Sequence, residues 1–261
     1  MFKAFLIFLL IFFSVQSVFA LTNEEATTSI FSSLDFPQPY LVYIKIDEQK
    51  GWYARNIGSK PEFEQILMQD KKFSGGWIIP IFPTVSSPGD DFEGCKPYYD
   101  YILQKSGIRK HDKVLVIGPG TGSDVWVAWQ KSQDIIYAVD INPLAVANTK
   151  AVAQIGGFPA DVIQGDIRTM AWPDRFRDFD FVLWNMPFMG QDPSCKYDAI
   201  KFITCDKGDV LEDFLLLIPK LLKKGGKAIF LNSPGAAEKV RFKDQEVITG
   251  PRSAVFVVTN E

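Results

Sequence analysis

At 261 residues the chain can bury a full core, as one large domain or one domain with a small appendage. Its hydrophobic content of 47% is globular, and a net charge of −3 lacks the basic excess that nucleic-acid binding normally shows, so RNA or DNA is not favoured as partner or substrate. Three cysteines without a C-x-x-C pair, and the single histidine His111, argue against a zinc site and against histidine-dependent catalytic triads.

The N-terminus reads as a secretory signal over residues 1–20. Lys3 precedes the apolar run from Ala4 to Phe13, and Val18-Phe19-Ala20 fits the small-residue cleavage rule. The alternative is an uncleaved membrane anchor, since the apolar stretch counted on to Leu21 nearly reaches spanning length. Lys3 before the run, with Glu24 and Glu25 after it, places the body on the non-cytoplasmic side in both cases, periplasmic or secreted.

Residues 21–95 read as an N-terminal extension. Tyr40–Ile46 and Trp52–Ile57 form a hairpin broken by Asp47 to Gly51, and Pro61–Met68 a short helix with proline in its first turn. Trp77–Pro83 is a further apolar segment, so the extension is a small β-rich cap. The main domain is expected over 96–261. A helix at Tyr98–Ser106 leads into alternating strands and helices, the pattern of a parallel sheet covered on both faces. Strands are expected at Val114–Ile117, Ile135–Val139, Asp161–Gln164, Phe179–Trp184 and Lys227–Leu231. Helices are expected near Asp124–Lys131, Pro143–Ile155 and Val210–Lys223, the last stopped by Gly225-Gly226. Glu246–Thr249 and Ala254–Thr259 read as a terminal antiparallel hairpin.

Four segments carry the chemistry. The strand at Val114 runs into Gly118-Pro119-Gly120-Thr121-Gly122, a loop with glycine at every second position. Strand, glycine-rich turn and helix are how open α/β sheets build a nucleotide pocket. The dinucleotide fingerprint G-x-G-x-x-G would put its third glycine at Ser123, so the spacing departs from it. Asp140 ends the next strand about 20 residues on, where a carboxylate can accept hydrogen bonds from both ribose hydroxyls, and Ile141 can cover an adenine face. Asp166 and Ile167 follow the third strand. Asn185-Met186-Pro187-Phe188 follows the fourth.

The G-x-G-x-G loop and these strand ends resemble the class I S-adenosylmethionine-dependent methyltransferases. The resemblance covers about Ile79 to Thr259 and includes Pro80–Thr84 and the bridge from Lys223 to Phe230. Asn185-Met186-Pro187-Phe188 is similar to the N-P-P-F/Y signature of the group that methylates planar amino or amide nitrogens, such as rRNA guanine or glutamine side chains. The resemblance implies a doubly wound, mostly parallel seven-stranded Rossmann-like sheet closed by a C-terminal antiparallel hairpin. It implies S-adenosylmethionine as cofactor, held by Gly118, Gly120, Thr121, Gly122, Asp140, Ile141, Asp166 and Ile167. Asn185 would be the side-chain acceptor for the substrate's amino hydrogens, Met186 the backbone acceptor beside Pro187, and Phe188 the stacking ring, on a small-molecule or protein substrate. Oriented acceptors of that kind act most strongly in the transition state.

Two positions depart from the family. Val116 stands where an acid usually helps hold the cofactor's amino-acid end, and Met186 replaces a rigid proline. These departures, and export away from a cytoplasmic cofactor, also motivate a non-catalytic nucleoside-binding domain of the same fold. An aminopropyltransferase-like enzyme is a further alternative, but it needs an acidic base where this chain has Asn185. For an exported chain a Cys195–Cys205 disulfide is expected, with Cys95 outside it.

Overall fold

A computed structural model describes residues 40–47, 51–57, 77–82, 85–88, 92–187, 210–250 and 252–261. The N-terminal signal, the short helix at 61–68, Phe188 and the Cys195–Cys205 pair lie outside the described residues.

Three strands come first: β1 (Tyr40–Asp47), β2 (Gly51–Ile57) and β3 (Trp77–Ile81). They form an antiparallel sheet in the order β2-β1-β3. Helix α1 (Phe92–Gln104) leads to β4 (Val114–Ile117), α2 (Ser123–Ser132), β5 (Ile136–Asp140), α3 (Pro143–Ile155), β6 (Ala160–Gln164) and β7 (Phe179–Asn185). Helix α4 (Val210–Leu221), β8 (Leu222–Asn232), β9 (Gln245–Thr249) and β10 (Ala254–Thr259) complete the chain. The second sheet has seven strands in the order β6-β5-β4-β7-β8-β10-β9. Its first five are parallel, and β10 runs antiparallel to both β8 and β9, the terminal hairpin expected from the sequence.

Alternation along the strands divides the core into two layers. Val114, Val116, Leu183, Ile229 and Leu231 face α1, α2, α3 and the three-stranded sheet. Leu115, Ile117, Val182, Trp184, Ala228 and Phe230 face the other way, onto Leu211, Phe214, Ile218 and Leu221 of α4. The order reverses at β4: the chain winds outward through β5 and β6, then returns to β7 on β4's other side. In open α/β sheets the crevice outside the carboxyl ends of the strands at such a reversal is where ligands bind.

Two elements differ from the sequence reading. The last helix stops at Leu221, not Lys223, and β8 already pairs Leu222 with Phe179. Its buried stripe ends at Leu221, while Lys223 and Lys224 are exposed. Gly225-Gly226 lies inside β8, where the Gly225 N–H donates to Asn260 at 2.6 Å and the Asn260 N–H to Gly226 at 2.9 Å. The C-terminal tail, far away in sequence, fixes those glycines as strand. Likewise α1 starts at Phe92, ahead of Pro97, rather than at Tyr98. Its first turn is tied to the terminal hairpin, where the Ser253 hydroxyl donates to the Gly94 carbonyl at 2.7 Å.

Candidate functional site

The glycine loop leaves β4 through three left-handed residues: Gly118 at φ 59°, Gly120 at φ 53° and Gly122 at φ 89°. An L side chain at any of them would be strained. A Cβ on Gly118 would approach Trp184 Nε1 to 3.0 Å, and one on Gly122 would approach the Thr149 Cα to 3.2 Å. At Gly120 the nearest atom is Val85 Cγ1 at 3.9 Å, an ordinary contact, so φ and not crowding is what calls for glycine there. The loop is braced from below by α3. Thr149 Oγ1 donates to the Gly120 carbonyl at 3.1 Å, and Asn148 Nδ2 to the Thr121 carbonyl at 3.1 Å. The same Asn148 amide donates to the Pro80 carbonyl and accepts from the Phe82 N–H at 2.7 Å, joining the loop to the end of β3. The Thr121 side chain faces inward, 2.9 Å from Ser123 Oγ, and is buried.

Asp140 sits opposite the loop at the end of β5. Its Oδ2 accepts from the Gly120 N–H at 3.2 Å and its Oδ1 from the Asn142 N–H at 2.9 Å. Burial pushes this carboxyl up to about 6, against the pull of the Asn142, Gly120 and Ile141 backbone N–H groups. A carboxylate oxygen can accept more than one hydrogen bond, so each oxygen keeps capacity for a ligand hydroxyl. Ile141 beside it is 41% exposed, an apolar surface at the pocket's edge. Ile167 is half-buried against the second core layer. Asp166 is paired with Arg168. Arg168 clasps both its oxygens, at 2.9 Å from Nε and 2.6 Å from Nη2, and holds its carboxyl below the usual range. An adenine amino group there meets an acid already shared with a guanidinium.

Asn185 ends β7, directly beside the glycine loop, because Trp184 pairs with Ile117. Its Nδ2 donates to Cys95 Sγ of α1 at 3.3 Å. Met186 is buried and Pro187 half-buried. Val116 is fully buried in the first core layer, so that position offers nothing polar to a cofactor. His111 is far from this end of the sheet, an exposed partner of Asp134 at 3.1 Å. Among the described residues no cluster of His, Cys, Asp and Glu could hold a metal ion.

The sequence reading passed over the group beneath this site. Asp124, in the first turn of α2, is buried under the Asn185 turn. Tyr99 donates a hydroxyl hydrogen bond to Oδ1, and Tyr98 one to Oδ2 at 3.4 Å. Burial pushes Asp124 up to about 7 despite these donors, and burial raises both tyrosines well above their ordinary value. The available signal was the spacing of Cys95, Tyr98, Tyr99 and Ile102, which lines one helix face.

No family model matches the chain. It is 31% identical over 169 residues to a protein of Methanocaldococcus jannaschii named as a protein N5-glutamine methyltransferase, covering 63% of this chain and 80% of that one. The chain belongs to the S-adenosylmethionine-dependent methyltransferases. A Caenorhabditis elegans protein named as a dimethyladenosine transferase is 31% identical to this methyltransferase over 96 residues, 35% of this chain and 29% of its own. A solved structure of a ribosomal protein L11 methylase from Lactobacillus delbrueckii subsp. bulgaricus matches 68% of this methyltransferase and 82% of itself, at 13% identity and a TM-score of 0.47. The cofactor is S-adenosylmethionine, and the residues at this crevice suit it: a glycine loop in left-handed conformation, a buried carboxylate at Asp140 with acceptor capacity left, and apolar Ile141 alongside.

Proposed function

We propose that this methyltransferase acts on an amino or amide nitrogen of a small-molecule or protein substrate. The observation that carries the reading is the place of Asn185. It stands at the carboxyl end of β7, next to the cofactor loop, with its Nδ2 turned to Cys95. That leaves Oδ1 to accept a hydrogen from a planar nitrogen, with the Met186 carbonyl as second acceptor. The bound cofactor supplies an electrophilic methyl group. Accepting both hydrogens favours the positive charge that develops on the nitrogen and aims its lone pair, and the proton released afterwards goes to solvent. Gly118, Gly120, Thr121, Gly122, Asp140 and Ile141 hold the cofactor in this reading, and Phe188 stacks on the substrate plane. The archaeal relative's name makes a glutamine side chain the first acceptor to try.

The test is transfer of labelled methyl from S-adenosylmethionine to a glutamine-containing peptide, adenosine and guanosine. Asn185→Ala should lower turnover on the order of a hundredfold, the cost of one oriented electrostatic contact, and leave cofactor affinity within a few-fold. A variant that keeps its turnover removes Asn185 from the chemistry. We further propose that residues 1–20 are a cleaved export signal. Intact-mass measurement of the protein recovered outside the cytoplasm should give a chain starting at Leu21, and a full-length mass there would favour the anchor.

A further inference from the structure

We propose that Asn148 is a positioning residue for the cofactor. It ties the three-stranded sheet to the glycine loop, so that S-adenosylmethionine binding and the docking of that sheet reinforce each other. This rests on the reading of Gly118–Gly122 as the cofactor's seat. Asn148 lies on α3, outside every segment that the sequence singles out, and is fully buried. A buried amide is costly unless its donors and its acceptor are met. Three backbone groups meet this one. Its Nδ2 donates to the Pro80 carbonyl at 2.9 Å and to the Thr121 carbonyl at 3.1 Å, and its Oδ1 accepts from the Phe82 N–H at 2.7 Å. Two carbonyls and one N–H match two donor hydrogens and one oxygen in a single orientation of the amide.

The partners come from two separate parts of the fold. Pro80 and Phe82 stand at the exit of β3, an edge of the three-stranded sheet, and Thr121 lies between two left-handed glycines of the loop. Asn148 holds the Thr121 carbonyl toward α3, and Thr149 holds the Gly120 carbonyl the same way at 3.1 Å. In a trans peptide the N–H points opposite to the carbonyl, so the Thr121 N–H faces away from α3. Left-handed glycines give the loop its path but little stiffness of their own, and these two side chains supply it. The far edge of the sheet has its own anchor. Trp52 of β2 stacks on Tyr99 of α1 at 3.9 Å between centroids, and its backbone N–H donates to Asp100 at 2.8 Å. Loss of the Asn148 amide therefore cuts the sheet from the loop while β2 stays on α1. A ligand that needs the loop in this one conformation binds better with the sheet docked, and by linkage it tightens that docking by the same factor.

The experiment uses the full chain, wild type and Asn148→Ala, with amide hydrogen exchange and calorimetry against S-adenosylmethionine. In the wild type, saturating cofactor should slow exchange at least about fivefold at Gly120 and Gly122 in the loop and at Phe82, Val42 and Ile44 on the sheet side, with Glu246–Ile248 of β9 unchanged. In Asn148→Ala, cofactor affinity should fall about tenfold; at saturation the loop should still be protected and the sheet no longer. Affinity within about twofold of wild type overturns the proposal, and so does sheet protection that survives the substitution. Slower exchange in β9 as well overturns it too, because the ligand would then be stabilising the fold at large. The wild-type arm decides even if the variant fails to fold. A protected loop beside an unprotected sheet overturns the proposal alone. No protection at Gly120 and Gly122 overturns the reading of the loop as the cofactor's seat, and the proposal with it.

Discussion

At the scale of single residues, two buried aspartates do different work within one crevice. Asp140 is oriented by backbone N–H groups and open to a ligand, whereas Asp124 is enclosed by protein donors. For Asp140 the consequence is measurable. Two charge-assisted hydrogen bonds to a ribose are worth roughly 2–4 kcal/mol, so Asp140→Ala should weaken S-adenosylmethionine binding at least tenfold, by calorimetry on folded protein. Burial raises its carboxyl to about 6 in the free protein, and only the ionised form accepts from both hydroxyls. Affinity should therefore fall as pH drops through 6, with proton release on binding near that pH. A flat affinity between pH 5 and 8, or an unaffected alanine variant, would remove Asp140 from the cofactor site. The place of Asp140 beside the glycine loop was legible, because an acid that ends the strand after such a loop faces it across the sheet's edge. Asp124 was not. Nothing in the local sequence says that a first-turn acid will be covered, since the hydroxyls that meet it come from α1, 25 residues earlier.

At the scale of elements, the sequence spoke most clearly where burial is dictated by short-range pattern. The run Val114–Ile117 and the helix Pro143–Ile155 are found where the residues placed them, the first because all four side chains are buried and the second because Asn142 caps it and Pro143 opens it. The misplaced boundaries have a common cause. Lys223–Gly226 and Phe92–Pro97 take their conformation from Asn260 and Ser253, partners that only the closed terminal hairpin brings near. The brace on the glycine loop was hidden for a similar reason. Asn148 and Thr149 read as ordinary helix residues, but the helix turns both toward the loop, whose carbonyls are shielded from water and need donors. Arg168 is the counter-example: it stands two residues from Asp166, and its clasp on that acid was within reach of the sequence.

At the scale of the whole molecule, the three-stranded sheet is more than an appendage. Through Asn148 it meets the glycine loop, and through Trp52 it stacks on Tyr99 of α1, the helix whose Cys95 meets Asn185. The site is thus supported from a segment that composition alone marked as a cap. Supporting it with buried carboxylates has a cost that depends on pH. Asp124 and Asp140 have folded values of about 7 and about 6, above the ordinary 3.8. In the window between, the native protein binds more protons than the unfolded chain, so stability falls as pH rises. Each pKa unit between the two states is worth about 1.4 kcal/mol, enough for two such groups to shift a melting midpoint by several degrees. Asp134 and Asp166 carry the opposite sign, because their partners lower them, but that loss comes only at pH below the ordinary carboxylate range. The raised Tyr98 and Tyr99 act only above pH 10. Among the described residues the two buried aspartates are left to set the trend from pH 8 down to 5.5, and the cofactor-free protein should melt higher at pH 5.5 than at pH 8. Asp124→Asn should remove the larger part of that difference, because Asp124 has the larger shift. Saturating S-adenosylmethionine should reduce what remains, because it binds the ionised Asp140. A midpoint that is flat, or that rises toward pH 8, would mean that these carboxylates are solvated in the native protein and do not brace the site.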